Sequence, residues 1–105
     1  MSDATVFIVD DDQAVARSLR WLIETVRLNV ETFASAQAFL DGYDGSKRGC
    51  LVLGVRMPGL SGLELQERLA ASRIQVPIIF ITGHGDVQMA VRAVQSGAFD
   101  FIEKP

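Results

Sequence analysis

Five short strand-like runs, each followed or preceded by a helical stripe, constrain this chain more than any other feature. The runs are Thr5-Val6-Phe7-Ile8-Val9, Asn29-Val30-Glu31-Thr32-Phe33, a central one at about 50–54, Val76-Pro77-Ile78-Ile79-Phe80-Ile81 and Ala98-Phe99-Asp100-Phe101-Ile102-Glu103. The first, third and fourth are apolar on both faces, as strands buried in a parallel sheet are. The second alternates apolar and polar residues, as an edge strand does. Pro77 falls at a strand start, where no ladder donor is needed. Between the runs, Val15, Leu19, Leu22, Ile23 and Val26 form an i, i+4, i+7, i+8, i+11 stripe behind a capping Asp12 or Asp11. Ser35 caps a short helix that turns Ala36, Phe39 and Leu40 inward. A third helix starts near Gly62 with Leu65 and Leu69 one turn apart, and a fourth bears Val87, Ala90, Val91 and Val94 behind a capping Asp86. Gly97 stands where a helix C′ residue belongs. Trp21 falls off its stripe and is expected partly exposed, without a role. The order βαβαβαβαβ implies a parallel sheet with helices on both faces, in one domain over residues 1–105.

Composition removes several function classes. The formal net charge is −3 and no run of five basic residues occurs, so nucleic-acid contact by this domain is not expected. Hydrophobic residues make up 49%, enough for a core, yet no apolar run approaches a membrane span. The start Met1-Ser2-Asp3-Ala4 lacks the cationic region of a signal peptide. Cys50 is the single cysteine, so no intrachain disulfide forms; a cytoplasmic location is expected. His84 has no metal-ligand partners near it in sequence, and Met57, Met89 and the phenylalanines read as packing residues.

The chemistry gathers at the carboxyl ends of the first, third, fourth and fifth strands, which meet at one sheet edge. The residues placed there are Asp10 and Asp11, Gly54, Thr82 and Lys104. Adjacent carboxylates repel, and a divalent cation relieves the repulsion. A lysine adds a fixed positive charge and a threonine hydroxyl can donate to an anionic oxygen. The set suits a phosphoryl group and Mg²⁺, but the middle position, Gly54, has no side chain and so no nucleophile.

Four segments resemble the receiver domains of two-component response regulators, within them the FixJ-type transcription regulators. They are Val6-Phe7-Ile8-Val9-Asp10-Asp11-Asp12, the stretch from Val55 to Gly62, Ile81-Thr82-Gly83-His84-Gly85-Asp86, and the stretch from Gly97 to Pro105. The resemblance implies an α/β, flavodoxin-like (CheY-like) three-layer fold with strand order 2-1-3-4-5. It implies a sensor histidine kinase as upstream partner and a DNA-binding output domain downstream. By position, Asp11 would bind Mg²⁺ directly, Asp10 through water, and Arg56 through its backbone carbonyl. Thr82 and Lys104 would contact the phosphoryl oxygens, and Phe101 matches the aromatic switch position. The family's Lys-Pro bond is usually cis, although here Pro105 is the last residue.

Two departures stand out. The family has its phosphoacceptor aspartate where this chain has Gly54, so phosphorylation is expected to fail. With the switch residues around it intact, the glycine reads as a deliberate substitution rather than natural loss. The chain also ends before the family's fifth helix and output domain, which predicts an exposed apolar flank near Phe7 and Phe101, and self-association or exchange of elements between protomers. Two other readings are weighed. One is a receiver naturally independent of phosphate, serving as a protein-interaction module. The other is a phosphatase of the haloacid-dehalogenase type, with Asp10 as nucleophile and Asp12 as general acid. Against the latter, Ala14 stands where that family prefers threonine or valine, and no acidic metal motif follows Lys104.

Overall fold

Each apolar run becomes a strand and each striped segment a helix. The computed structural model describes residues 4–43, 45–83 and 86–104. In chain order the elements are β1 (Thr5–Val9), α1 (Gln13–Thr25), β2 (Asn29–Phe33), α2 (Ala36–Gly42), β3 (Gly49–Gly54), α3 (Gly62–Ala71), β4 (Ile78–Thr82), α4 (Val87–Gln95) and β5 (Asp100–Glu103). The strands form one parallel sheet in the order β2-β1-β3-β4-β5. The expected architecture and strand order are therefore present. Asp44, His84 and Pro105 lie outside the described residues, so the roleless reading of His84 and the Lys-Pro isomer do too.

Period-two alternation along the central strands sorts their side chains to two faces. Phe7, Val9, Leu51, Leu53, Ile78 and Phe80 turn to the face covered by α2, α3 and α4, where Phe39, Leu65, Leu69, Ala90 and Ala93 meet them. Val6, Ile8, Val52 and Ile81 turn to the opposite face, under Val15, Ala16, Leu19 and Ile23 of α1. Phe7 packs edge-on against Phe39 and Tyr43, with ring centroids 5.8 and 5.1 Å apart, and Phe39 stacks on Tyr43 at 4.7 Å. Such aromatic pairs add about 0.5–1.5 kcal/mol each to their area burial.

The flank expected to be open near Phe7 and Phe101 is not there. Phe7 is buried and Phe101 is half-buried against the cluster beneath α4. The uncovered region lies on the opposite face, because α1 packs over β1 and β2. On that face the β5 residue Ile102, level with Ile81, is 59% exposed. Alternation explains the error: Phe101 and Ile102 are neighbours in sequence but face opposite sides of the sheet. On α1, Val15, Leu19 and Ile23 pack inward, whereas Leu22 stays exposed and Val26 is the C-cap, beyond the last helical residue. Trp21 is exposed as expected.

Helix ends follow local chemistry closely. Asp12 accepts hydrogen bonds from the N–H groups of Ala14 and Val15 at 3.0 and 3.3 Å. Ser35 accepts from Ala38 N–H at 3.0 Å. Ser61 and Glu64 form a reciprocal capping box, each side chain accepting from the other's backbone N–H. The Ser61 backbone N–H, reinforced by its hydroxyl, holds the Glu64 carboxyl below the usual carboxylate range. Gly97 has φ +117° after α4, as a C′ glycine does. Ala98 N–H closes back on Ala93 O at 3.0 Å, so the last strand starts later than its apolar run.

Gly62 is required by a close approach. A Cβ there would lie 2.1 Å from the Gly54 carbonyl oxygen and 3.1 Å from Phe80 Cε1. The first turn of α3 thus abuts the end of β3. Gly62→Ala should destabilise the fold by about 2 kcal/mol or more, lowering Tm by roughly 10 °C. Thermal unfolding followed by circular dichroism checks this, and an unchanged Tm would contradict the tight helix–strand contact.

Candidate functional site

Three consecutive aspartates follow β1, and the turn gives each a different environment. Asp10 N–H still bonds Phe33 O at 3.2 Å, so the backbone stays tied to the sheet. Its side chain is held inward at 0% exposure. Asp10 Oδ1 accepts from Asp12 N–H at 2.9 Å. Asp11 points to solvent, and Asp12 is spent on the α1 cap. The acidic pair is thus one buried carboxylate and one exposed one.

Register brings the remaining residues to the same edge. Val9 stands beside Leu53, and Gly54 stands beside Ile81, so Asp10 and Gly54 are level. A Cβ at Gly54 would lie 3.2 Å from Asp10 Oδ2 and 3.6 Å from Met57 Cγ. Position 54 therefore aims into the acidic site, as expected of the residue ending the central strand. Thr82 ends β4, is fully buried, and donates its hydroxyl to Gly83 O at 3.0 Å. Lys104 N–H bonds Thr82 O at 2.8 Å, which fixes the lysine just beyond β5. From there its ammonium reaches within 3.3 Å of Asp10 Oδ2. That approach is an ion pair off the direction of a hydrogen bond, and Oδ2 has no hydrogen-bond partner among the described residues.

Asp10, Gly54 and Lys104 thus converge on one atom, Asp10 Oδ2. Thr82 joins them through the backbone bond to Lys104. Phe101 lies level with Phe80 on the α4 side of the sheet, half-buried, three residues before Lys104. Arg56 turns its exposed side chain sideways and donates from Nε to Asp86 Oδ1 at 2.5 Å. This corrects the reading of Asp86 as a side-chain cap: the residue holds the N-cap position but makes no side-chain cap bond, because its carboxylate is engaged by Arg56. Charge complementarity across 30 positions of sequence left no local signal for that pair. Among the described residues no cluster of three or more His, Cys, Asp or Glu side chains gathers to hold a metal. No helix among them is long and apolar enough to cross a membrane.

The fold and the strand-end arrangement define a class: the chain belongs to the response regulator receiver domain family, which matches residues 6–105. Domains of this family bind Mg²⁺ at their acceptor site. Among curated proteins, the chain is 50% identical over 103 residues to the response regulator protein TmoT of Ectopseudomonas mendocina, covering 98% of this chain and 47% of that one. It is 48% identical over 100 residues to the transcriptional regulatory protein FixJ of Bradyrhizobium diazoefficiens, covering 95% of this chain and 49% of that one. The chain spans about half the length of the curated relatives it matches. Among solved structures, FixJ-N superposes with a TM-score of 0.91 at 48% identity, covering all of this chain and 84% of that one. The response regulator StyR gives a TM-score of 0.91 at 50% identity, covering 99% of this chain and 52% of that one.

The Asp10 bonds predict how substitutions there divide. Asp10→Ala orphans the Asp12 N–H and should cost about 1–3 kcal/mol. Asp10→Asn keeps an acceptor in place and should cost less. Urea denaturation of the two variants ranks them, and equal losses would show that the Asp12 bond contributes nothing measurable.

Proposed function

We propose that this chain is a signalling receiver module that cannot take up phosphate, because Gly54 occupies its acceptor position. One observation carries the reading: position 54 aims at Asp10 Oδ2, 3.2 Å from a Cβ built there, and supplies no oxygen. The upstream partner would be a sensor histidine kinase, and the downstream one a DNA-binding output domain of the kind a longer transcriptional regulator carries. No direct nucleic-acid contact is assigned to this domain, whose net charge is −3. Residues 1–105 are read as a receiver domain, in the cytoplasm. The exposed Ile102 supports self-association, at the α1 side of the sheet rather than near Phe7.

The residues fit Mg²⁺ in kind. An all-oxygen donor set suits a hard cation, and the buried Asp10 Oδ2 lacks a hydrogen-bond partner among the described residues. Asp10 and Asp11 would hold the metal with the backbone carbonyl of Arg56, weakly, since the acceptor carboxylate is missing. Bound metal would neutralise charge on a transferring phosphoryl group. The Thr82 hydroxyl and Lys104 ammonium would contact the phosphoryl oxygens, and Phe101 would follow Thr82 as the switch aromatic. The phosphatase reading loses ground here. Asp12 spends its carboxylate on two backbone N–H groups, and Asp10 is fully buried against Lys104.

Acetyl phosphate with Mg²⁺ provides the test. The chain should remain unlabelled by intact-mass spectrometry, and Gly54→Asp should gain one phosphoryl group. Labelling of the parent chain would overturn the reading. A labelled Gly54→Asp variant whose oligomeric state does not change would instead identify an interaction module already independent of phosphate.

A further inference from the structure

We propose that the groove between the carboxyl ends of α3 and α4 receives a short extended peptide of a partner protein, apolar and carrying one carboxylate side chain. The groove lies where α3 ends and β4 begins, at the sheet edge opposite the strand-end site. It is therefore separate from the phosphoryl chemistry argued above. Its volume is about 750 Å³, within the range of roughly 300–1,000 Å³ that ligand sites occupy. It is open on its solvent side, which suits a chain laid along it better than an enclosed small molecule.

The floor is apolar: Leu69 and Ile78 are buried there, and Ile74 and Val76 are half-buried. One wall supplies free main-chain groups. The apolar run begins at Val76, yet pairing with β3 begins only at Pro77, whose carbonyl accepts from Leu51 N–H at 2.9 Å. Gln75 and Val76 make no backbone hydrogen bond among the described residues. Unpaired main-chain groups beside apolar side-chain pockets are what an added peptide strand bonds to. Across the groove, Gln66 Nε2 donates to Ala93 O at 3.1 Å and ties α3 to α4, so the walls keep their spacing.

Arg73 gives the groove its charge preference. After α3 its left-handed backbone, φ +58°, returns the chain toward Leu69, whose carbonyl accepts from Ile74 N–H at 3.0 Å. That turn puts Arg73 and Ile74 side by side on the lining. Arg73 is the only charged residue of the lining, and its guanidinium has no hydrogen bond or ion pair among the described residues. A free guanidinium beside an apolar floor selects a carboxylate on an otherwise apolar segment.

Selection of a random heptapeptide display library on the folded chain tests this. The selected peptides should be apolar with one Asp or Glu, and should shift the backbone amides of Gln75, Val76 and Ser96 on binding. Arg73→Gln should bind them about tenfold more weakly. Ala70→Trp, which fills the groove from the exposed face of α3, should abolish binding with an unchanged thermal midpoint. Recovery of no binding peptide, a preference for basic peptides, or shifts confined to α1 or the strand-end site would refute the proposal. Equal affinity for the parent and both variants would refute it as well. Self-association of the parent that is lost in Ala70→Trp, with no peptide selected, would assign the groove to a second copy of the chain instead.

Discussion

The parallel register of β1 against β3, continued through β4 to β5, is what every feature of the site depends on. Val9 beside Leu53 and Gly54 beside Ile81 place the residues after β1 and at the end of β3 at one height. The backbone bond from Lys104 to Thr82 extends that level across β4 to the chain's last described residue. A slip of one residue in β3 would turn Gly54 out of the site and move Leu51 and Leu53 off the α2–α4 core. The burial of Phe7, Phe39, Leu53 and Phe80 and the geometry of the strand ends are therefore one constraint expressed twice.

That coupling explains why the fold was legible in the sequence. Two-sided apolar runs such as Thr5–Val9 are rarely compatible with anything but a central parallel strand, and the alternation with helical stripes fixes the class. Asp12, Ser35 and Gly97 act through bonds within a few residues, so their roles could be read locally. Position 54 was legible too, since a strand-ending residue in such a sheet projects into the crevice. What could not be read depended on contacts between distant segments. Arg56 and Asp86 find each other only once β3 and β4 are adjacent, and the local pattern around Asp86 pointed to a cap. The uncovered flank was assigned to the wrong face because Phe101 and Ile102 are adjacent in sequence and opposite in space. Gly62 is the helix start the sequence suggests, but its second role, the close contact of α3 with the Gly54 carbonyl, could not be read.

The glycine at 54 changes the electrostatics as well as the chemistry of the site. With an aspartate there, two carboxylates would approach each other around Asp10 Oδ2, and like charges at that range disfavour joint ionisation. Such repulsion is the usual cost of an acidic site kept ready for a cation. Glycine removes that repulsion together with any nucleophile, and the one buried carboxylate left can be matched by one ammonium. Loss of a strand-favouring side chain acts in the other direction, since glycine weakens a strand end through backbone entropy. The balance is local: β3 is held by β1 and β4 on both sides, Gly54 is buried between them, and α3 starts against its carbonyl. A position so enclosed can lose its side chain without losing its place in the sheet, and the site around it keeps its shape because its shape was set by the register and not by the missing group.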